Sequence, residues 1–451
     1  MTAVKKVFLA AIALLLAGTA IAIPARAALV EDGYNPLDLP TAGCFWTGPF
    51  TAANEKTNTA YPGTEITYWG AKFRTPAGAV LRLRGQYPHA RYSSLNAYES
   101  SGGVPTGSIS DRQIKPDRGS VNTSLPGKDR KAKKRAWTVR VLGSAAPEKP
   151  AANTLYAQPS SEDYQDIIYR VYVADKGRSK SGGVPIPTPE LTLEDGTVLT
   201  GKALCAALNS NHDYKSQSVP TVLYDALVNW PGKDPLTNPA EADFSFIKFF
   251  NLQLSLARYK TQAEFDAAWE ANPNEVGTLY GNNDARYMTG AFSTRFGKVL
   301  VIKGSMPTTP QTYRGQRRAK AGQLVEWDMC TLESVATTKT NKCLFDEQVP
   351  LRGKQRRYTI VVAKAGDRPK NATRECGVAF LPADPDGDGV GRKDAGLLLT
   401  RNVIPASNFK HSIQNVTTPY NAARVMGRYY PRGTYTSKAA FQKLGCPKAG
   451  N

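Results

Sequence analysis

Histidine is nearly absent from this chain of 451 residues: there are three, His89, His212 and His411, each in a different segment. None stands in an H-E-x-x-H pattern or beside a cysteine at ligand spacing, so the usual Cys/His zinc signatures are missing. Also missing are a G-x-S-x-G elbow, S-x-x-K with its partner motifs, a P-loop and a strand-borne G-x-G-x-x-G. These gaps remove the familiar hydrolase, nucleotide and dinucleotide signatures. Beyond residue 27 no run is apolar for the roughly 20 residues that a membrane span needs. Acidic side chains are the scarcer charge: 38 Asp and Glu against 58 Lys and Arg leave a formal charge of +20. Such a field favours anionic partners, such as cell-wall polymers, acidic polysaccharide, lipid headgroups or extracellular nucleic acid, and it also serves plain solubility.

What is present begins with an export signal. Lys5 and Lys6, the apolar stretch from Phe8 to Ile23, and Ala25-Arg26-Ala27 read as the charged, hydrophobic and cleavage regions of a signal peptide over 1–27. Losing its three cations lowers the charge to +17. The product is expected outside the cytoplasm, secreted or associated with the cell wall, with no transmembrane segment. All six cysteines follow the signal, and an even number in an exported chain implies a disulfide framework. Cys330 and Cys343 flank a turn-rich run between two strand-like segments, so a hairpin would bring them face to face. Cys44 with Cys205 and Cys376 with Cys446 are expected to pair within their own halves; the other crosses would staple the halves together.

The architecture follows from an internal repeat. Tyr68-Trp69-Gly70 is echoed by Tyr287-Met288-Thr289-Gly290, and Val80-Leu-Arg-Leu-Arg-Gly85 by Val299-Leu-Val-Ile-Lys-Gly304, at an offset of 219 residues. Further on, Leu95 to Ser100 answers Asp328 to Ser334, Gln113 to Pro116 answers Gln348 to Pro350, and Trp137-Thr-Val-Arg-Val141 answers Tyr358-Thr-Ile-Val-Val362. The apolar residues alternate over short runs bounded by Gly, Pro and Asn, which is strand periodicity. The expected fold is therefore mainly β: two tandem antiparallel units, sandwich or barrel-like, at 28–199 and 281–451. Between them, 200–280 reads as a helical connector with apolar helical spacing from Phe244 to Leu256. Thr261-Gln-Ala-Glu264 forms a capping box ahead of a helix at Phe265 to Glu270. A last short helix is expected at Ser437 to Leu444.

Each copy carries one charged feature that the other lacks. In the first, Lys128, Arg130, Lys131, Lys133, Lys134 and Arg135 put six cations into eight residues. Such a run attracts polyanions without sequence preference, or is simply a solvated loop or a processing site. No aromatic is interleaved, so sequence-specific nucleic-acid recognition is not indicated. In the second copy, Asp384, Asp386 and Asp388 with Gly389 follow the first half of a calcium loop. The Val390 carbonyl would be the next ligand, but Asp394 falls one residue before the position of the closing carboxylate. A structural Ca2+ is the cofactor this loop implies; an acidic turn is the alternative.

Several segments carry a resemblance. Ala90-Arg-Tyr-Ser-Ser-Leu-Asn-Ala-Tyr98, Gln113-Ile-Lys-Pro-Asp-Arg-Gly119 and Gly182-Gly-Val-Pro185 in the first half join five others in the second. These are Val299 to Pro310, Asp346-Glu-Gln-Val-Pro350, Asp367 to Thr373, Cys376 to Leu381 and Tyr429-Tyr-Pro-Arg-Gly-Thr-Tyr435. Together they resemble an exported, mainly actinobacterial family of two-unit β-proteins without an assigned activity. The first unit is also similar to the β-rich C-terminal domain of two-domain exported proteins of unknown function. The resemblance implies fold and compartment and brings no active site. Three functions remain open: a binding or surface-associated protein for an anionic or carbohydrate ligand, a structural envelope protein, and a hydrolase or lyase. The last would need His89, Arg91, Tyr92 and Asp111 to line one pocket.

Overall fold

The computed structural model describes residues 39–99, 103–160, 163–214 and 217–446; the expected signal segment lies outside the described residues. The first half runs through β1 (Thr41–Ala42), β2 (Trp46–Phe50), β3 (Ile66–Phe73), β4 (Val80–Gln86), β5 (Ala90–Glu99) and β6 (Val104–Ser110). It continues with β7 (Ala136–Leu142), β8 (Thr154–Tyr156), β9 (Gln165–Ala174), β10 (Thr188–Thr192) and β11 (Val198–Leu199). Next come helices α1 (Gly201–Ala207) and α2 (Thr221–Val228), strand β12 (Ile247–Lys248), and helices α3 (Leu252–Ala257) and α4 (Gln262–Ala271). The second half holds β13 (Ala285–Ser293), β14 (Val299–Ser305), β15 (Leu324–Leu332), β16 (Thr340–Phe345), β17 (Arg357–Ala363) and β18 (Ala379–Pro382). It ends with β19 (Ala395–Pro405), α5 (Ala422–Met426), β20 (Arg432–Thr436) and α6 (Lys438–Lys443).

These strands form four sheets, none of which closes on itself. In the first half the orders are β1-β2-β3-β9-β5-β6 and β11-β10-β4-β7-β8; in the second they are β12-β13-β19-β15-β16 and β18-β17-β14-β20. The repeat is visible in this pairing. β2-β3-β9-β5-β6 matches β12-β13-β19-β15-β16, β10-β4-β7-β8 matches β20-β14-β17-β18, and the parallel pair β7 with β8 recurs as β17 with β18. Register matches residue for residue: Gly85 lies opposite Trp137, and Gly304 opposite Tyr358. A Cβ on Gly85 would sit 2.3 Å from the Trp137 ring, and one on Gly304 would sit 2.6 Å from the Tyr358 hydroxyl. In each copy the glycine leaves room for an aromatic ring to lie across the neighbouring strand.

Period-two alternation assigns the faces. Leu81 and Leu83 of β4 point into the first core with Trp137, Val139 and Val141 of β7 and with Ile167, Tyr169 and Val171 of β9. The second core joins Leu300 and Ile302 of β14 to Met288, Trp327 and Leu398 in the same way. The remaining face of β9 is not left to solvent. Ile66, Tyr92 and Tyr172 of the first half pack against Ala285, Val325 and Val403 of the second. This explains why β9 and β19 are buried along most of both faces and read as continuous apolar runs.

The three disulfides are Cys44–Cys205, Cys330–Cys343 and Cys376–Cys446. Cys330 and Cys343 are direct cross-strand partners in β15 and β16. α4 carries the expected box, in which the Thr261 side chain accepts from the Glu264 amide and the Glu264 carboxylate accepts from the Thr261 amide. Ser437 caps α6. Helical spacing misreads Phe244 to Asn251, because Ile247–Lys248 is instead paired with β13; a central sheet with an unpaired edge recruits this apolar segment as a strand.

One ion cluster ties the halves together. Arg91 of β5 is 1 % exposed, with Nη1 2.8 Å from Asp346 Oδ1 and Nη2 2.5 Å from Glu347 Oε1, both carboxylates being buried in the second half. Its Nε donates to Thr312 Oγ1 at 2.8 Å. Removing one member of a buried ion cluster leaves the others uncompensated, at a cost of about 3–5 kcal/mol. Arg91→Met is therefore expected to lower the urea midpoint by that order, with both halves still unfolding in one transition. Unchanged stability would show that the cluster does not join them.

Candidate binding sites between the two halves

The matched strands bring matched side chains to the seam. Tyr68 is the cross-strand partner of Arg170, and Tyr287 that of Arg401. Both arginines are 2 % exposed and stand at equivalent points of the two central strands. The loops entering β3 and β13 are equivalent as well. Ala60 and Tyr61 (φ 59° and 54°) have their counterparts in Leu279 and Tyr280 (φ 55° and 52°). Two successive non-glycine residues in the left-handed region cost roughly 1–2 kcal/mol each, so contacts must hold both loops. Each loop is held by the opposite half: Tyr61 N donates to Thr338 O at 2.8 Å, and Tyr280 N donates to Gly103 O at 3.1 Å.

A cavity of about 150 Å3 lies among these elements, lined by Tyr68, Tyr172, Tyr280, Tyr287, Arg170 and Arg401 together with apolar residues and with polar ones that include Arg258, Gln217 and Thr289. Arg170 Nη1 donates to Asn96 Oδ1 at 2.9 Å and to the Tyr98 hydroxyl, and Nη2 donates to the Tyr280 carbonyl. Arg401 Nε stands 3.1 Å from Asp328 Oδ1, but too obliquely for a hydrogen bond. On the same face of β9 as Arg170, buried Asp166 accepts from Tyr214 and Tyr280, each at 3.4 Å.

A second, open concavity of about 660 Å3 lies at the outer end of the seam. The loop 125–130 of the first half pairs with the loop 312–319 of the second, with Gly127 N donating to Ala319 O and Arg130 N to Arg317 O. Seven cationic side chains line it: Arg130, Lys131, Lys176, Arg178, Arg314, Arg317 and Arg374. Its carboxylates, Asp175 and Glu347, already face Arg130 at 2.5 Å and Arg91 at 2.5 Å. His89 is also in its wall. Burial, then the charges of Arg135, Arg178 and Arg130, lower its pKa to about 4, so the imidazole is neutral and the net field is positive.

The basic run divides in the structure. Lys128, Lys131, Lys133 and Lys134 are exposed, whereas Arg130 and Arg135 are buried and serve the fold. Arg130 binds Asp175 and the Ala90 and Thr312 carbonyls; Arg135 binds the carbonyls of Tyr87, Arg130 and Ala132. Those two are corrected from surface contacts to internal braces, because a guanidinium's several donors can satisfy buried carbonyls that an ammonium reaches less well.

The four residues proposed for a hydrolytic pocket do not converge. Arg91 is the inter-half brace, Tyr92 donates to Asp284 Oδ2 at 2.8 Å in the apolar seam, Asp111 accepts from Ser93 N at 2.9 Å, and only His89 faces a concavity. The acidic loop is likewise distributed. Asp384 accepts from the Asp386 amide at 2.8 Å. Asp388, 1 % exposed, accepts from the amides of Val390 and Arg392 and, at 2.9 Å, from the Tyr224 hydroxyl of α2. Asp394 accepts from Thr294 at 2.9 Å and faces Arg295 at 3.3 Å. Among the described residues no group of three or more His, Cys, Asp or Glu is placed to hold a metal ion.

The two matched arginines of the cavity, Arg170 and Arg401, were not anticipated. Both lie inside long apolar runs, Ile167 to Val173 and Leu397 to Ile404, where a charge at matching points was the available signal.

No family model matches the chain, and no curated protein matches it. Among solved structures it is similar to an uncharacterised protein from Burkholderia cenocepacia, with 13 % identity and a TM-score of 0.47, covering 89 % of this chain and 84 % of that one. It is also similar to the VPA0106 protein from Vibrio parahaemolyticus, with 11 % identity and a TM-score of 0.38, over 88 % and 92 % of the respective chains. Neither likeness bears on function.

Burial raises the Asp166 carboxyl to about 7, against the lowering influence of Lys72, the two tyrosine hydroxyls and Arg170. Its unfolded value is about 3.9, so between these values the native state holds the extra proton. Stability from this group is full below about pH 4 and is lost as pH rises through about 7. Asp166→Asn is therefore expected to gain stability relative to wild type by on the order of 2–4 kcal/mol at pH 8 and by little at pH 4.5. Urea unfolding at both pH values checks this, and an equal difference at the two would contradict it.

Proposed function

We propose that this chain is an exported binding protein that holds an anionic polymer, such as an acidic cell-wall or extracellular polysaccharide, at the basic cleft between its two halves. Each half is read as a two-sheet sandwich, and the cleft as the place where their loops jointly build a surface neither has alone. The observation that carries the reading is the imbalance in the cleft: six cations besides the brace Arg130 line it, while its two carboxylates are already paired. Lys131, Lys176 and Arg178 are exposed and have no carboxylate partner among the described residues, so their charge is available to a ligand. Groove walls of one sign focus the field and raise the local concentration of counter-ions. Disulfides and the want of a membrane-spanning helix among the described residues fit the exported compartment.

The test separates the cleft from net charge. The triple variant Lys131→Glu, Lys176→Glu, Arg178→Glu is expected to weaken binding to a sulfated or uronic polysaccharide about tenfold or more at 0.15 M salt. The control Lys202→Glu, Lys354→Glu, Lys370→Glu makes the same change in charge on exposed residues elsewhere and is expected to do much less. Equal losses in the two would mean that binding follows net charge and that the cleft is no site.

A further inference from the structure

The cavity at the centre of the seam calls for a different ligand from the outer cleft. Arg170 is buried, and none of the described carboxylates lies within ion-pair distance of its guanidinium. Its Nε is screened from solvent and has no hydrogen-bond partner, as is the Tyr61 hydroxyl, whose residue lines the same cavity. A buried cation with an unused donor is a costly arrangement for folding alone, since an unsatisfied buried donor costs about 1–3 kcal/mol and more for a charged group. Both arginines are stacked within the aromatic lining: the Arg170 guanidinium carbon is 5.3 Å from the Tyr68 ring centre and that of Arg401 is 5.7 Å from the Tyr287 ring centre. The remaining wall is mixed: Ile168, Leu332, Val335, Leu397 and Leu399 are apolar, while Thr59, Gln217, Ser255, Thr278, Thr289 and a third arginine, Arg258, whose Nη1 donates to the Thr289 carbonyl at 2.9 Å, are polar. A void of about 150 Å3 has room for a guest of benzene size, and the cavity here is about 150 Å3.

From this juxtaposition of a buried arginine without a carboxylate partner, aromatic walls and a benzene-sized void, we propose that the cavity binds one small cyclic monocarboxylate of about the size of benzoate. The carboxylate faces the guanidinium of Arg170, which lines the cavity, and the ring lies among the tyrosines. Arg401, already facing Asp328, supports the field without being the main anchor. The two left-handed loops, Ala60-Tyr61 and Leu279-Tyr280, both line the cavity, so ligand and loops are held by the same contacts. This inference does not rest on the polymer cleft, which shares none of its lining residues.

The probes are benzoate and its neutral counterpart toluene, added to the intact protein. Benzoate at millimolar concentration is expected to raise the melting midpoint saturably, by about 2 °C or more, with toluene doing less. Arg170→Gln is expected to abolish the benzoate shift. Because that variant could lose the fold, Ala291→Leu provides a second arm: it narrows the cavity without touching a charge, and is expected to keep the wild-type near-ultraviolet spectrum while losing the shift. The cleft variant Lys131→Glu, Lys176→Glu, Arg178→Glu is expected to retain it. Absence of a shift in the wild type, a shift of equal size with toluene, or a shift that survives Ala291→Leu would each overturn the proposal.

Discussion

Burial of cationic side chains between two β halves is the constraint on which this structure depends. Arg91, Arg170 and Arg401 each lie in the seam at 2 % exposure or less. A guanidinium cannot shed its charge when buried, as a lysine or histidine can, so its surroundings must supply acceptors from several directions. Those acceptors come from both halves. Arg91 of the first half needs Asp346 and Glu347 of the second, and Arg170 of the first half needs the Tyr280 carbonyl from the loop that enters β13. Separating the halves would leave these groups without their partners, which makes the seam a condition of the fold and not a contact between finished domains.

The duplication gives that constraint its form. The same strand order, the same glycine under an aromatic ring, the same Tyr–Arg cross-strand pair and the same left-handed loop occur twice. Faced across the seam, they make a near-symmetric chamber from residues that are individually unremarkable in either copy. Departures from symmetry then decide the chemistry. Arg401 has Asp328 beside it, but the equivalent strand position opposite Arg170 is Ser94, so one of two matched cations is left without a direct carboxylate. The outer cleft arises differently, where the insertion private to the first copy reaches across to the loop 312–319 of the second.

The repeat was legible in the sequence because turns and strand edges keep their residue types: Val80 to Gly85 and Val299 to Gly304 preserve both alternation and the glycine. The Cys330–Cys343 pair was legible for a similar reason, since a hairpin fixes its own register. What could not be read was which surface meets which. Period-two alternation says that Ile167, Tyr169 and Val171 share a face; it does not say that Ile168, Arg170 and Tyr172 on the other face meet a second sheet. Density of charge along the chain is equally blind to burial, so Arg130 and Arg135 read as part of an exposed run although both side chains are buried. The extended pairing of Ile247–Lys248 with β13 was hidden because a two-residue edge strand has no periodicity of its own.

The central claim, that the halves form one cooperative body joined at the seam, is tested most directly by native-state hydrogen exchange on the amides of β9 and β19 at increasing denaturant. If the seam is a condition of the fold, residues 167–171 and 398–402 should merge into a single opening reaction with one free energy and one denaturant dependence. Exchange of one strand through an opening of clearly lower free energy, while the other stays protected, would contradict the account.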